Sequence, residues 1–144
     1  MIPVIQLVLA LLGLSHLTVA VLFFVAPVWV FENMAHFPPY NAHFLADIGA
    51  FNLPLGVGLM LAARSPRQQR TVIWLAALGN LAHAASHLRD HDLHGPPVMS
   101  ALAGTLTQGS TLLSGLLLLA AALWLRSRTA EPVGTRSRTP SGAD

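Results

Sequence analysis

Residues 71–94 read TVIWLAALGNLAHAASHLRDHDLH, an apolar run that polar side chains enter from one side. Asn80, His83, His87, His91 and His94 follow one another at steps of three and four, so a helix that persists through the stretch carries all five on one face. The segment is otherwise apolar enough to cross a membrane. Ionisable groups at membrane depth are costly and as a rule face a protein interior, so this stripe is where a site is to be sought. The stripe does not name a reaction.

Composition fixes the solvent around that stretch. The 144 residues are 53% hydrophobic and only 10% charged, with a mean hydropathy of +0.59, which is too apolar and too poor in charge for an ordinary soluble domain. A chain of this length forms one small bundle, helix against helix inside and lipid outside, with no room for a second domain. The isoelectric point of about 10.5 does not indicate nucleic acid. The formal charge is +2, and every basic residue is an arginine beside an apolar segment or in the tail. Cysteine is absent, which excludes disulfides, thiolate metal sites and cysteine nucleophiles.

Working outward, four apolar runs predict an all-α bundle of four transmembrane helices within residues 1–126: residues 3–25, 43–63, 71–88 and 98–125. Each approaches or exceeds the roughly 20 residues needed to cross the hydrocarbon, and the third is the marginal one. The first run lacks a basic leader and a small-x-small cleavage site before Pro27, so it reads as a span rather than a secretory signal. Arg64, Arg67 and Arg70 lie between the second and third runs, and Arg126, Arg128, Arg136 and Arg138 follow the fourth. The other two connections hold only Arg89. The positive-inside rule then places both termini in the cytoplasm of a multi-pass cell-membrane protein.

Trp74 and Trp124 fall near the cytoplasmic ends of their spans, while Trp29, Phe31, Phe37 and Tyr40 populate the outer connection, as expected of rings that prefer the headgroup level. The outer connection, residues 27–41, is expected to lie along the surface, with His36 a surface residue. Residues 127–144 lack apolar periodicity and read as a disordered cytoplasmic tail. Small residues are expected where helices touch, because lipid gives no hydrophobic drive for association. Gly13 and Ala20, Gly49 and Gly56, Ala76 and Gly79, and Ser100, Gly104, Thr107, Thr111 and Ser114 fit that role. Pro54 should kink the second span and free the Ala50 carbonyl.

This topology gathers polar residues in the outer half. At about 1.5 Å per residue, His87 falls at the interface, Asp47 and His83 about 6–8 Å deep, His16 and Asn52 about 13 Å, and Gln108 about 15 Å. His43 and Asp47 share a face four residues apart. An aspartate at that depth needs a partner or a proton. The expected site is therefore His43 and Asp47 on the second span with His83, His87 and His91 on the third, acting as metal ligands or a proton relay. Zinc, iron and copper are all admissible. Three readings stand beside it: a haem held between His16 and His83, a polar layer including Asn80 that only locks the helices, and a small proton-coupled transporter using His16, Asp47 and Gln108.

Several reaction classes are excluded. There is no GxSxG elbow, phosphate loop, HExxH helix or dinucleotide fingerprint. Residues 41–92, with His43, Asp47-Ile48-Gly49, Phe51 and Gly56 before the basic turn and His83, His87 and Asp90 after it, resemble the small four-helix membrane proteins grouped as DoxX-like. Where such proteins often carry an arginine before the aspartate, this chain has Ala46. The resemblance implies a role beside membrane quinone or redox chemistry, with a redox partner or a homo-oligomer as the assembly.

Overall fold

The computed structural model describes residues 1–35, 38–89 and 101–127, with the side chains of 101–108 outside the description. The described residues are helical throughout: α1 (Ile2–Val25), α2 (Pro27–Asn33), α3 (Ala42–Arg64), α4 (Arg70–Arg89) and α5 (Ala101–Ser127). Four of these match the expected runs to within a residue or two, except that residues 98–100 lie outside the description. So do His36, His91, His94 and the tail beyond Ser127, together with the expectations placed on them.

Local chemistry sets the boundaries. Pro27 cannot donate to α1 and disfavours helical geometry at Ala26, which adopts φ −139° and ψ 50°, so the chain turns there and restarts as α2. This short helix was not anticipated in the outer connection, where proline and aromatics masked its roughly two turns of periodicity. Val30 of α2 is fully buried against Phe23 and Leu45, which holds α2 across the end of the α1–α3 pair. Asn41 caps α3, its Oδ1 accepting from the Phe44 amide at 3.1 Å. Ser65 ends α3, and its carbonyl accepts from the Gln68 and Gln69 amides, both at 3.1 Å, to close the arginine turn into α4. Pro54 lies inside α3, which continues through it.

The helices associate as two antiparallel pairs, α1 with α3 and α4 with α5. Small residues bring α1 and α3 to backbone contact. A Cβ on Gly56 would come within 2.9 Å of the Leu17 amide nitrogen, one on Gly13 within 3.1 Å of the Gly56 carbonyl, and one on Gly49 within 3.2 Å of the Ala20 carbonyl. Gly13, Ala20, Gly49 and Gly56, small residues expected where helices touch, thus lie in the seam itself. In the second pair the close approach belongs to Gly115, against Leu81, a contact the serine and threonine spacing did not reveal. A Cβ on Gly79 would meet nothing within 4 Å, so no close helix approach depends on that position.

At the arginine-turn end all four long helices share one core, with Leu9, Leu59, Ile73 and Leu118 completely buried. At the far end the cluster of Phe23, Val30 and Leu45 draws only on α1, α2 and α3. Among the described residues the two pairs are therefore joined at one end and leave a cleft between them further along. Helices α1 and α3 and residues Gly109–Ser127 of α5 are each long and apolar enough to cross a membrane. Leu7, Leu11, Val57, Leu61, Leu113 and Leu123 point outward along them, a surface that water would not tolerate but acyl chains solvate. The 20 residues of α4 have the length but not the apolarity, because Arg70, Asn80, His83, His87 and Arg89 interrupt it.

Candidate functional site

The cleft between the pairs has a volume of about 220 Å³ and is lined by His16 of α1, Ile48, Phe51, Asn52 and Leu55 of α3, and Gly79, Asn80 and His83 of α4. Helical spacing places the α3 residues in one row, at steps of three, one and three. Asn80 and His83 lie one turn apart on α4. The absent side chain of Gly79 leaves the space open on that wall.

A directed hydrogen-bond chain crosses the cleft floor. The His16 Nδ1–H donates to Asn52 Oδ1 at 2.7 Å, and Asn52 Nδ2 donates to the Ile48 carbonyl at 2.8 Å. From the other side Asn80 Nδ2 donates to the Ala76 carbonyl at 2.9 Å and, with its second hydrogen, to His16 Nε2 at 3.4 Å. Between these partners the His16 Nδ1 donates and its Nε2 accepts. The chain ties α1 to both α3 and α4 at the level where counting along the helices put His16 and Asn52. Asn80 is only 6% exposed, and its Oδ1 receives no hydrogen bond from a described residue. A buried acceptor without a donor is costly, so this atom calls for a water or a ligand hydroxyl.

His83 stands at the cleft edge and meets His87, Nε2 to Nε2, at 2.9 Å, with ring centroids 4.7 Å apart and planes inclined by 26°. Asp47 is elsewhere. It pairs with His43, Oδ2 to Nε2 at 3.7 Å, and both side chains are more than half exposed. Position 47 precedes the cleft row of Ile48, Phe51, Asn52 and Leu55, and one residue is a turn of about 100° on a helix, enough to swing a side chain out of the cleft. Of the expected five-residue His/Asp site, the four described members are therefore not brought together. His43 and Asp47 form one local pair, His83 and His87 another, and His91 lies outside the described residues. Among the described residues no group of three His, Asp or Glu side chains converges.

Haem does not fit. Both ring nitrogens of His16 are engaged, by Asn52 and Asn80, and a volume of 220 Å³ falls below the roughly 300 Å³ at which pockets for whole drug-sized molecules begin. Gln108, the remaining intramembrane polar residue, lies where side chains are not described. What sequence reading undervalued was Asn52 with Asn80, two amides with no titratable group, which supply the directed bonds of the floor.

No curated protein and no solved structure matches the chain. Residues 2–139, nearly the whole length, match one family, and the chain belongs to it: the family of unknown function DUF6632.

Proposed function

We propose that this protein is a multi-pass cell-membrane protein with four spans and cytoplasmic termini, and that its cleft binds the hydroxylated ring of a lipid-soluble molecule of the quinol class. The single observation that carries the binding is the polar floor beneath apolar walls: the Asn80 Oδ1, which has no donor among the described residues, with His83 one turn away and Phe51, Ile48 and Leu55 around it. A ring hydroxyl donates to Asn80 Oδ1, while His83 offers a ring N–H or a lone pair to a second oxygen. At about 220 Å³ the cleft admits a ring and not a tail, so the tail of such a molecule stays among the acyl chains. The redox side of this reading rests on the DoxX-like resemblance around His43, Asp47 and His83. None of the matches connects the chain to those proteins.

A short-chain hydroquinone kept under anaerobic conditions is expected to bind saturably to the full chain in nanodiscs, more tightly than its oxidised form, which has no hydroxyl to donate. Binding that is absent, or equal for both forms, rejects the assignment. A second reading, that the polar layer only fastens helices, draws on the 2.7 Å His16–Asn52 bond between α1 and α3. Bonds of this kind contribute about 1 kcal/mol or less.

Topology is tested separately, because a chain without cysteine reports cleanly on single introduced ones. Glu32→Cys is expected to react with a membrane-impermeant maleimide on intact cells, whereas Arg67→Cys and Ser127→Cys react only after permeabilisation. If α4 does not cross, Ser127→Cys reacts from outside, and the four-span reading fails.

A further inference from the structure

His83 and His87 take no part in the hydrogen-bond chain of the cleft floor and form a pair of their own on α4. Their Nε2 atoms lie 2.9 Å apart, the length of one N–H···N hydrogen bond, and the ring planes differ by 26°. The ring centroids are 4.7 Å apart. A straight bond of that length between ring tips would separate them by about 5.2 Å, so the rings meet tip to tip along a bent bond. The helix supplies the spacing, since residues four apart stand one above the other on its surface. In the uncharged pair a single proton lies between the two tips, and either ring can own it. His83 lines the cleft and His87 does not. With Nε2 engaged, Nδ1 is the nitrogen that His83 has left for a molecule bound there.

We propose that His87 is a positioning residue that lets His83 serve both oxidation states of a quinol-class ring, as acceptor for a hydroxyl and as donor to a carbonyl. The inference rests on the quinol-class reading of the cleft. A backbone carbonyl or a carboxylate opposite Nε2 would lock His83 in one tautomer, because such a group only accepts. An imidazole donates or accepts. When His83 donates Nε2–H to His87, its Nδ1 keeps a lone pair and accepts from a hydroxyl of the reduced ring. When His87 donates instead, His83 carries its proton on Nδ1 and offers it to a carbonyl of the oxidised ring. Between the two states one proton passes from His83 Nε2 to His87 Nε2, His83 Nδ1 gains one from water, and His87 Nδ1 gives one up to water. The pair holds two N–H bonds before and after, its charge does not change and no electron moves. Among the described residues neither ring forms an ion pair, so no carboxylate fixes a charge on it. Asn80 Oδ1 accepts only, and it alone then sets the preference for the reduced ring.

The experiment is nitrogen NMR of the histidine-labelled full chain in nanodiscs, saturated first with the short-chain hydroquinone under anaerobic conditions and then with the matching quinone. With hydroquinone bound, His83 Nδ1 and His87 Nε2 are expected to be unprotonated; with quinone bound, both are expected to carry a proton. The response of His87, which does not line the cleft, is the signature that a merely structural role would not produce. His87→Leu should erase the switch at His83 and weaken binding of both rings about two- to tenfold, the loss of one hydrogen bond. His87→Gln, whose amide can donate or accept, should restore both affinities. Rings that bind while the His87 tautomer stays the same overturn the proposal and leave the cleft reading standing, as does a His87→Leu protein that binds both rings as the wild type does. If neither ring binds, the cleft reading fails and this inference falls with it.

Discussion

Gly56→Leu is expected to separate α1 from α3 and to abolish the folded protein in detergent, or at the least to lower its unfolding temperature by many degrees. The reason is the kind of atom the new side chain meets. A Cβ at position 56 comes within 2.7 Å of Leu17 Cγ, which a rotamer change relieves, but also within 2.9 Å of the Leu17 amide nitrogen, which moves only if the whole helix moves. Overpacking a well-fitted interface costs about 1–3 kcal/mol, more where backbone is the obstacle. Gly56→Ala therefore falls in that range, and leucine, with three further carbons directed into the seam, exceeds it. In lipid no hydrophobic gain offsets the loss, because a leucine freed from the seam is as well solvated by acyl chains as by α1. Gly109→Ala is the control. It meets nothing within 4 Å and should leave stability unchanged or raise it by about 0.5–1 kcal/mol through reduced backbone freedom in the unfolded chain. A Gly56→Leu protein that melts with the wild type would refute the α1–α3 seam.

The legible and illegible parts of this fold divide along a physical line. Helix positions and the small residues of the α1–α3 seam could be read, because apolar length and the seven-residue spacing of Gly13 with Ala20 and of Gly49 with Gly56 are properties of one segment at a time. The shared level of His16 and Asn52 could also be read, since depths on two antiparallel helices that start from one boundary follow from counting, and the 2.7 Å bond between them bears that out. The rotation of each helix about its own axis was not legible. Asp47 and Ile48 are neighbours in sequence, yet one leaves the cleft for His43 and the other lines it. A carboxylate draws attention by its cost at membrane depth, but among the described residues Asp47 pairs with His43 and is not part of the cleft wall. Asn52 and Asn80, which do not titrate, define the floor instead. The short α2 and the Gly115–Leu81 contact escaped for a related reason: each depends on packing between segments, against Phe23 and Leu45 in one case and between α4 and α5 in the other.

Asn80→Leu separates a ligand site from a structural polar layer, since the two readings assign that amide opposite consequences. Leucine has the same branching and number of side-chain heavy atoms as asparagine, with bulkier methyl ends and no polar atom, so the variant removes the donor to His16 Nε2, the donor to the Ala76 carbonyl and the Oδ1 acceptor while keeping the space filled. The Ala76 carbonyl keeps its place in the α4 helix, and the 3.4 Å bond to His16 is long, so the structural loss is small. Interhelical hydrogen bonds in membranes average about 0.6 kcal/mol, and removal of a buried acceptor that lacks a donor recovers part of that. The unfolding temperature should therefore stay within a few degrees of wild type. Binding of the short-chain hydroquinone should behave differently. Its hydroxyl would enter the cleft with no acceptor, which adds the cost of an unpaired buried donor, about 1–3 kcal/mol, to the bond that is lost. At about 1.4 kcal/mol per factor of ten, the dissociation constant rises at least tenfold, and the preference for the reduced over the oxidised ring disappears. A folded Asn80→Leu protein that binds hydroquinone as the wild type does would remove Asn80 from the site. One that fails to fold would make the amide a fastener of helices, the role the second reading gives it.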